Sequence, residues 1–261
     1  MKKLMLAALL LVASGAAWAA EGKLGVDVDL TWASKFIWRG IDMGDNKAAF
    51  QPSVNFDLWG SGFSTKIMGS WLEGPTNGAE EDQPTELFQY SLAYANSFNK
   101  GDAAQVDYAL TYTYWDFYGH NSSYGDFQDL AATISLPKLC PAGFVPHYTI
   151  AYSWSGRPGP TPGAFGQSLS GPAGFVHIVG LDYNFKLSDQ PLTLSANAIY
   201  NDGTYGDNVD HDWAAVVWGA STSFKVGSGS FVPAIYYQTS MDDSVNKNDE
   251  LWTTLSYKLS F

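Results

Sequence analysis

The strongest regularity in the chain is an alternation of apolar and polar residues with a period of two. In "LGVDVDLTWASKFIWRG", Leu24, Val26, Val28, Leu30, Trp32, Phe36 and Trp38 fall on one side, and Gly25, Asp27, Asp29, Thr31, Lys35 and Arg39 on the other. Side chains alternate across a strand, so this spacing predicts a ribbon with one apolar and one polar face. The pattern recurs down the chain. Phe50, Val54 and Phe56 mark a second strand, Phe63, Ile67 and Trp71 a third, and Phe88, Tyr90, Leu92 and Tyr94 a fourth. Val106 to Tyr114, Leu130 to Leu136, Phe144 to Trp154 and Phe175 to Phe185 carry the next four. Leu192 to Tyr200, Val216 to Phe224, Phe231 to Tyr237 and Leu251 to Phe261 bring the total to twelve.

The connections alternate as well. "WGSG", "NKGD", "PKLCPAG", "LSDQ" and "GSGS" are short, and longer polar loops lie between them. Short turns on one side and long loops on the other predict an all-β fold: a transmembrane, up-and-down antiparallel β-barrel of about twelve strands. An even strand count puts both termini on the short-turn, periplasmic side. A soluble β-sandwich also alternates, but two features oppose it. The apolar face is heavily aromatic, and the chain holds 10 Trp, 15 Tyr and 15 Phe. Many stand near strand ends (Phe36 and Trp38, Trp71, Phe98, Tyr114 and Tyr118, Trp154, Phe175, Phe185), where rings settle at a headgroup boundary. On the polar face, Asp27, Asp29, Lys35, Asp57, Lys66 and Asp107 would each need a partner in a dry sandwich core; a wet lumen demands none.

At the start, "MKKLMLAALLLVASGAAWAA" has a basic opening, a short apolar run and Ala17-Trp18-Ala19, the pattern of a cleaved signal peptide over residues 1–19. Residues 20–261 show no composition break and read as one barrel domain, exported through the periplasm to a bacterial outer membrane. Lipids and lipopolysaccharide are then its surroundings. The chain is acidic, with 14 basic against 26 acidic residues. That argues against nucleic acid, which needs a basic footprint. Cys140 is the single cysteine, so there is no disulfide framework or cysteine metal site. No cofactor is expected.

Candidate chemistry concentrates on the polar face. Lys35 and Arg39 stand toward the extracellular end of the first strand, Asp27 and Asp29 toward the other. Two readings stay open: a constriction that attracts anionic groups, or ion pairs bracing the wall. Elsewhere Asp57, Asp107, Asp129 and Asp182 oppose Lys66, Lys186, Lys225 and Lys258, so no ion selectivity can be read. Lys258 should reach Asp27 or Asp29 across the closing seam. His147 reads as a wall residue with no carboxylate near it, and His177 as a lipid-face residue. Trp115, Phe117, Tyr236 and Trp252 point inward. The Pro- and Gly-rich loop after Trp154, around Gly159 to Ser168, is a candidate lid. Asp202, Asp207, Asp210 and Asp212 with His211 are weak candidates for a divalent cation, but their spacing fits no calcium motif and a solvated acidic loop is the simpler reading. His120 and Ser122 in "GHNSS" could serve a lipid hydrolase, yet the sequence offers no clear third group, and no enzyme is expected.

"SKFIWRGIDMGDNKAAFQPSVNFDLWGSGF" resembles the first hairpin of a family of proteobacterial outer-membrane porins, the TorF-like porins. These open with Trp- or Phe-Arg-Gly-Ile and carry a Pro-containing second strand; here the matching residues are Trp38, Arg39, Gly40, Ile41 and Pro52. The architecture is also similar to twelve-stranded nucleoside and acidic-sugar channels. The resemblance implies a porin and names no solute; the polar lumen of a monomeric barrel adds the expectation of a passive channel for small hydrophilic solutes. A structural or adhesive barrel with a filled lumen and an outer-membrane lipid hydrolase are the alternatives. Tyr257, Leu259 and Phe261 resemble the C-terminal signal read by the barrel-assembly machinery.

Overall fold

A computed structural model describes residues 23–72, 86–118, 126–156, 174–204 and 209–261. Twelve strands cross the barrel: β1 (Gly25–Ala33), β2 (Ala49–Asp57), β3 (Phe63–Leu72), β4 (Glu86–Phe98), β5 (Val106–Phe117), β6 (Phe127–Ser135), β7 (Phe144–Ser155), β8 (Gly174–Leu187), β9 (Gln190–Asp202), β10 (Trp213–Thr222, resuming as Phe224–Val226), β11 (Gly229–Ser240) and β12 (Glu250–Ser260). Each pairs antiparallel with the next, and β12 pairs with β1. The sheet is closed, so no strand edge is left unpaired.

Alternation sets the two faces. Ile67, Leu92, Leu110, Val179, Leu194, Trp218, Ile235 and Leu251 are all exposed on the outside. An apolar surface of this extent does not face water in a monomeric soluble protein; it is the band a barrel presents to lipid. No helix among the described residues is long and apolar enough to cross a membrane. His177 lies within the outer aromatic belt, 2.7 Å from the Tyr148 hydroxyl and close to the Phe175 and Tyr200 rings.

The seam joins the first and last strands at one rim, here called the terminal rim. Asp29 stands opposite Lys258 in the register, with Lys258 Nζ 3.4 Å from the carboxylate. Ser260 Oγ donates to Asp27 at 2.7 Å, and Thr31 and Ser256 hydroxyls meet at 2.6 Å. The Phe261 N–H donates to the Val26 carbonyl at 2.9 Å. Leu251, Leu255 and Phe261 are exposed on the outer face, in phase with Tyr257 and Leu259.

Tight turns close this rim. Gly143 adopts φ 96°, and a Cβ there would lie 2.3 Å from the Asn184 carbonyl and 3.1 Å from the Tyr183 ring. Asp57, the last residue of β2 and in phase with Asn55, accepts the Gly60 N–H at 2.8 Å and caps the β2–β3 turn, because its strand ends there and an orphan amide is within reach.

The largest departure from the sequence reading follows Ala33. The even-numbered alternation continues to Trp38, but β1 stops at Ala33. Ser34 and Thr253 exchange bonds at this point: the Ser34 N–H donates to the Thr253 carbonyl, and the Thr253 N–H to Ser34 Oγ, both at 2.9 Å. The chain then turns into the barrel. Phe36 and Trp38 belong to the interior, not to the lipid-facing girdle, and Lys35 and Arg39 stand on an inserted segment rather than on the wall.

Candidate functional site: a hairpin in the lumen

The inserted segment is a small hairpin. Ile37 pairs with Asp42 and Trp38 with Ile41, and these four residues form a two-stranded sheet separate from the barrel. Arg39 (φ 47°) and Gly40 (φ 95°) make the turn. Positive φ at both central residues is the signature of a type I′ turn, whose twist matches paired strands. Gly supplies that conformation freely, whereas Arg adopts it only when its surroundings hold it. Below the turn, the Met43 N–H donates to the Phe36 carbonyl at 2.7 Å.

At its base, Lys35 Nζ lies 2.6 Å from both Glu250 Oε2 on β12 and Asn46 Oδ1. Asp42 accepts the Gly44 and Asn46 N–H groups at 3.0 and 2.6 Å, shaping the return turn. Burial pushes the Asp42 carboxyl up from the ordinary carboxylate range, and those two amides oppose the shift.

The flanks are apolar. On one side Phe36 and Met43 are buried with Ala49, Leu87, Trp115 and Phe117. Trp38 lies edge-on to Trp115 at 4.7 Å and 5.5 Å from Phe127. On the other side Trp38 and Ile41 also pack against Val176, Ile199, Val209, Ala214 and Val245. The hairpin thus bridges two apolar patches, one on β4–β6 and one on β8–β10. A bulge between Ile199 and Tyr200 adds a residue on β10, and Ala214 and Ala215 are both buried beside it.

The tip carries the charge. One Arg39 guanidinium nitrogen lies 3.5 Å from Asp129 Oδ2 on β6, and another donates to Ser153 Oγ on β7 at 3.5 Å. The Trp115 indole N–H also donates to Asp129, at 3.0 Å. Asp129 is almost fully buried, so Arg39 supplies the charge partner that such a group needs. Gln238 on β11 is buried and donates its amide N–H to the Gly40 carbonyl at 2.8 Å. Trp252 and Tyr236 stack at 5.2 Å on the same wall.

The terminal half of the lumen is different. The Thr133 and Thr149 hydroxyls meet there at 2.8 Å, whereas Ser91 and Thr113, 3.0 Å apart, belong to the register row of Asp129 and Ser153 at the hairpin tip. A cavity of about 490 Å³ lies by the terminal rim, lined by Ser97, Lys100, Asp107, Thr133 and Ser135 among others. Gln105 donates to Asp107 at 2.7 Å. Lys66 follows the same inward phase as its register partner Asn55 on β2. His147, expected to stand alone, does not. Its Nε2 is 2.9 Å from Asn197 Oδ1 and its Nδ1 is 3.7 Å from Asp182 Oδ2. Gly180 between them makes room for the ring, since a Cβ there would lie 2.0 Å from Nε2. The carboxylate sits on the neighbouring strand β8, and linear spacing does not reveal it.

The acidic loop does not gather. His211 Nδ1 pairs with Asp202 at 2.7 Å, Asp212 accepts the Trp213 N–H, and the Asp210 N–H donates to Ser244 Oγ. Among the described residues no three metal-ligating side chains converge. Asp207, His120, Ser122 and the loop from Gly159 to Ser168 lie outside the described residues.

The fold has known counterparts. The NanC porin superposes with a TM-score of 0.54 at 12% identity, covering 90% of this chain and 98% of that one. An outer-membrane channel of Pseudomonas putida F1 gives 0.53 at 10% identity, over 93% of this chain and 97% of that one. The KdgM porin gives 0.51 at 8% identity, over 90% and 99%. No protein-family model matches the sequence, and no curated protein does. The chain therefore has the fold of twelve-stranded outer-membrane porins and channels.

Proposed function

We propose that the protein is a passive channel of the bacterial outer membrane for small hydrophilic solutes, with the inserted hairpin as its narrowest part. One observation carries the reading: a closed barrel with a polar-lined cavity by its terminal rim is crossed at the other end by a hairpin from its own first loop. Twelve strands enclose more space than eight, whose side chains can fill the interior, and less than the 16 to 18 of general porins. A constriction built from a folded-in loop suits that width. In this reading the termini face the periplasm and the long loops face outward into lipopolysaccharide. Residues 1–19 direct export, and Tyr257, Leu259 and Phe261 are read by the barrel-assembly machinery. The Trp38-Arg39-Gly40-Ile41 motif of the TorF-like porins is then the motif of the constriction turn.

A second reading has its own support. The apolar seats on both flanks of the hairpin suit a structural barrel with a permanently filled lumen. Purified protein in a planar bilayer separates the two. A channel gives discrete conductance steps, and Arg39→Glu shifts the reversal potential toward cations, because a fixed charge at a constriction acts at close range. Wild-type protein that never conducts, alone or with residues 159–168 removed, overturns the channel reading.

A further inference from the structure

We propose that the hairpin Ile37–Asp42 is a gate, seated here in its closed position, that opens by leaving its seat as a unit. The inference rests on the channel reading and adds its regulation. Four observations carry it. The hairpin is a sheet of its own, so its departure breaks no bond of the barrel ladder. Among the described residues, side chains hold it to the wall at three places at least: Lys35 on Glu250, the apolar flanks, and Arg39 with Gly40 at the tip.

The seat at the tip is imperfect. Gln238 is fully buried and donates to Gly40, yet its own carbonyl oxygen has no partner among the described residues. A buried acceptor left unpaired favours any state in which water reaches it. Arg39 also holds a backbone conformation that a non-glycine residue seldom adopts. Finally, hinges lie where a swinging arm needs them. Ser34 marks the end of the ladder, and Gly44, Asp45 and Asn46 form the return, the last two with φ 47° and 63°. Small interlocking seats of this kind give two discrete positions rather than a continuum.

The geometry supplies a lock. A Cβ placed on Gly40 would lie 3.8 Å from the Ala215 Cβ, inside the 3.5–4.5 Å range of disulfides. Gly40→Cys with Ala215→Cys, in a Cys140→Ser background, ties the tip to the wall when oxidised; a side chain at φ 95° is strained there, so only protein whose disulfide is verified by mass spectrometry enters the comparison. The gate predicts loss of conductance steps in the oxidised protein and their return on reduction. Asp129→Asn, which removes the charge partner of Arg39, is the second arm and should lengthen the open dwell time relative to wild type. A third protein, with Ile37–Asp42 replaced by two glycines, separates the failures. Equal conductance in oxidised and reduced staple, or an unchanged dwell time in Asp129→Asn, overturns the gate and leaves the channel standing. Conductance only in the glycine replacement makes the hairpin a fixed plug and also overturns the gate. Silence in every protein, the glycine replacement included, sinks the channel reading and the gate with it.

Discussion

Removing the carboxylate of Asp129 should loosen the hairpin without loosening the barrel. The Arg39 and Asp129 side chains are 12% and 4% exposed, so solvent screens their attraction little. Taking one partner from a buried pair costs about 3–5 kcal/mol, mostly because the other charge is left without compensation. Here the nitrogen lies 3.5 Å from the carboxylate, and Arg39 keeps Ser153 within reach, so we take about 2–3 kcal/mol for Asp129→Asn. That is roughly a 30- to 150-fold change in an opening equilibrium. Hydrogen exchange read by mass spectrometry reports it locally. The Met43 amide is buried with the seated arm and bonded to Phe36 within it, so it should exchange faster once the arm leaves its seat, while the amides of β1 and β12 keep their protection. The double variant Arg39→Gln with Asp129→Asn removes both charges and should cost less than the two single changes added together. Protection lost equally across all strands would refute the reasoning, and so would a hairpin that exchanges no faster than in the wild type.

Two further outcomes test the outer face and a loop. Trp218 is exposed at the middle of β10, so Trp218→Lys should destabilise the barrel in lipid by about 2–4 kcal/mol, against about 0–1 for Leu259→Lys near the rim; equal denaturant midpoints would contradict a lipid-facing exterior. Asp249 accepts the Tyr237 hydroxyl and the Ser240 N–H, and the first of these leads in holding its carboxyl below the ordinary range. Its stabilising effect is therefore present above the usual carboxylate pKa and is lost as pH falls through the lowered value. The Ser240 amide resonance should follow that titration and lose it in Asp249→Asn; a midpoint at the usual aspartate value would count against the bond.

Much of this molecule is legible from alternation alone. Period two places the strands, gives their outward sets, and puts Lys258 within reach of Asp27 or Asp29, between which the register chooses Asp29, because in a closed sheet parity and pairing constrain each other. Parity fails at Ser34. Phe36 and Trp38 keep the even numbering of Leu30 and Trp32, so a strand read by eye runs on where the ladder has stopped. Polarity held the missing signal. Phe36, Ile37, Trp38, Ile41 and Met43 are too apolar for a loop in water, and Arg39-Gly40 between them is a two-residue turn. Val176, Ile178, Ile199 and Val217 likewise sit at lumen parity, where a wet wall has no use for them. The partners of His147 and Asp129 come from neighbouring strands and the inserted turn, and spacing along one strand cannot disclose those.

The base of the hairpin also fixes an order of assembly. Lys35 is tied to Glu250 and Ser34 to Thr253, both on β12, more than two hundred positions along the chain. Closing so long a span carries an entropic cost that local contacts cannot offset until the intervening strands have paired. A segment made among the first is thus seated among the last. While the barrel is still an open sheet, Phe36, Trp38, Ile41 and Met43 have no wall to lie against, and the tip's arginine and Asp129 are not yet neighbours. The seat of the hairpin is complete only once the seam closes, and the lumen can first take in its contents when the two edges meet.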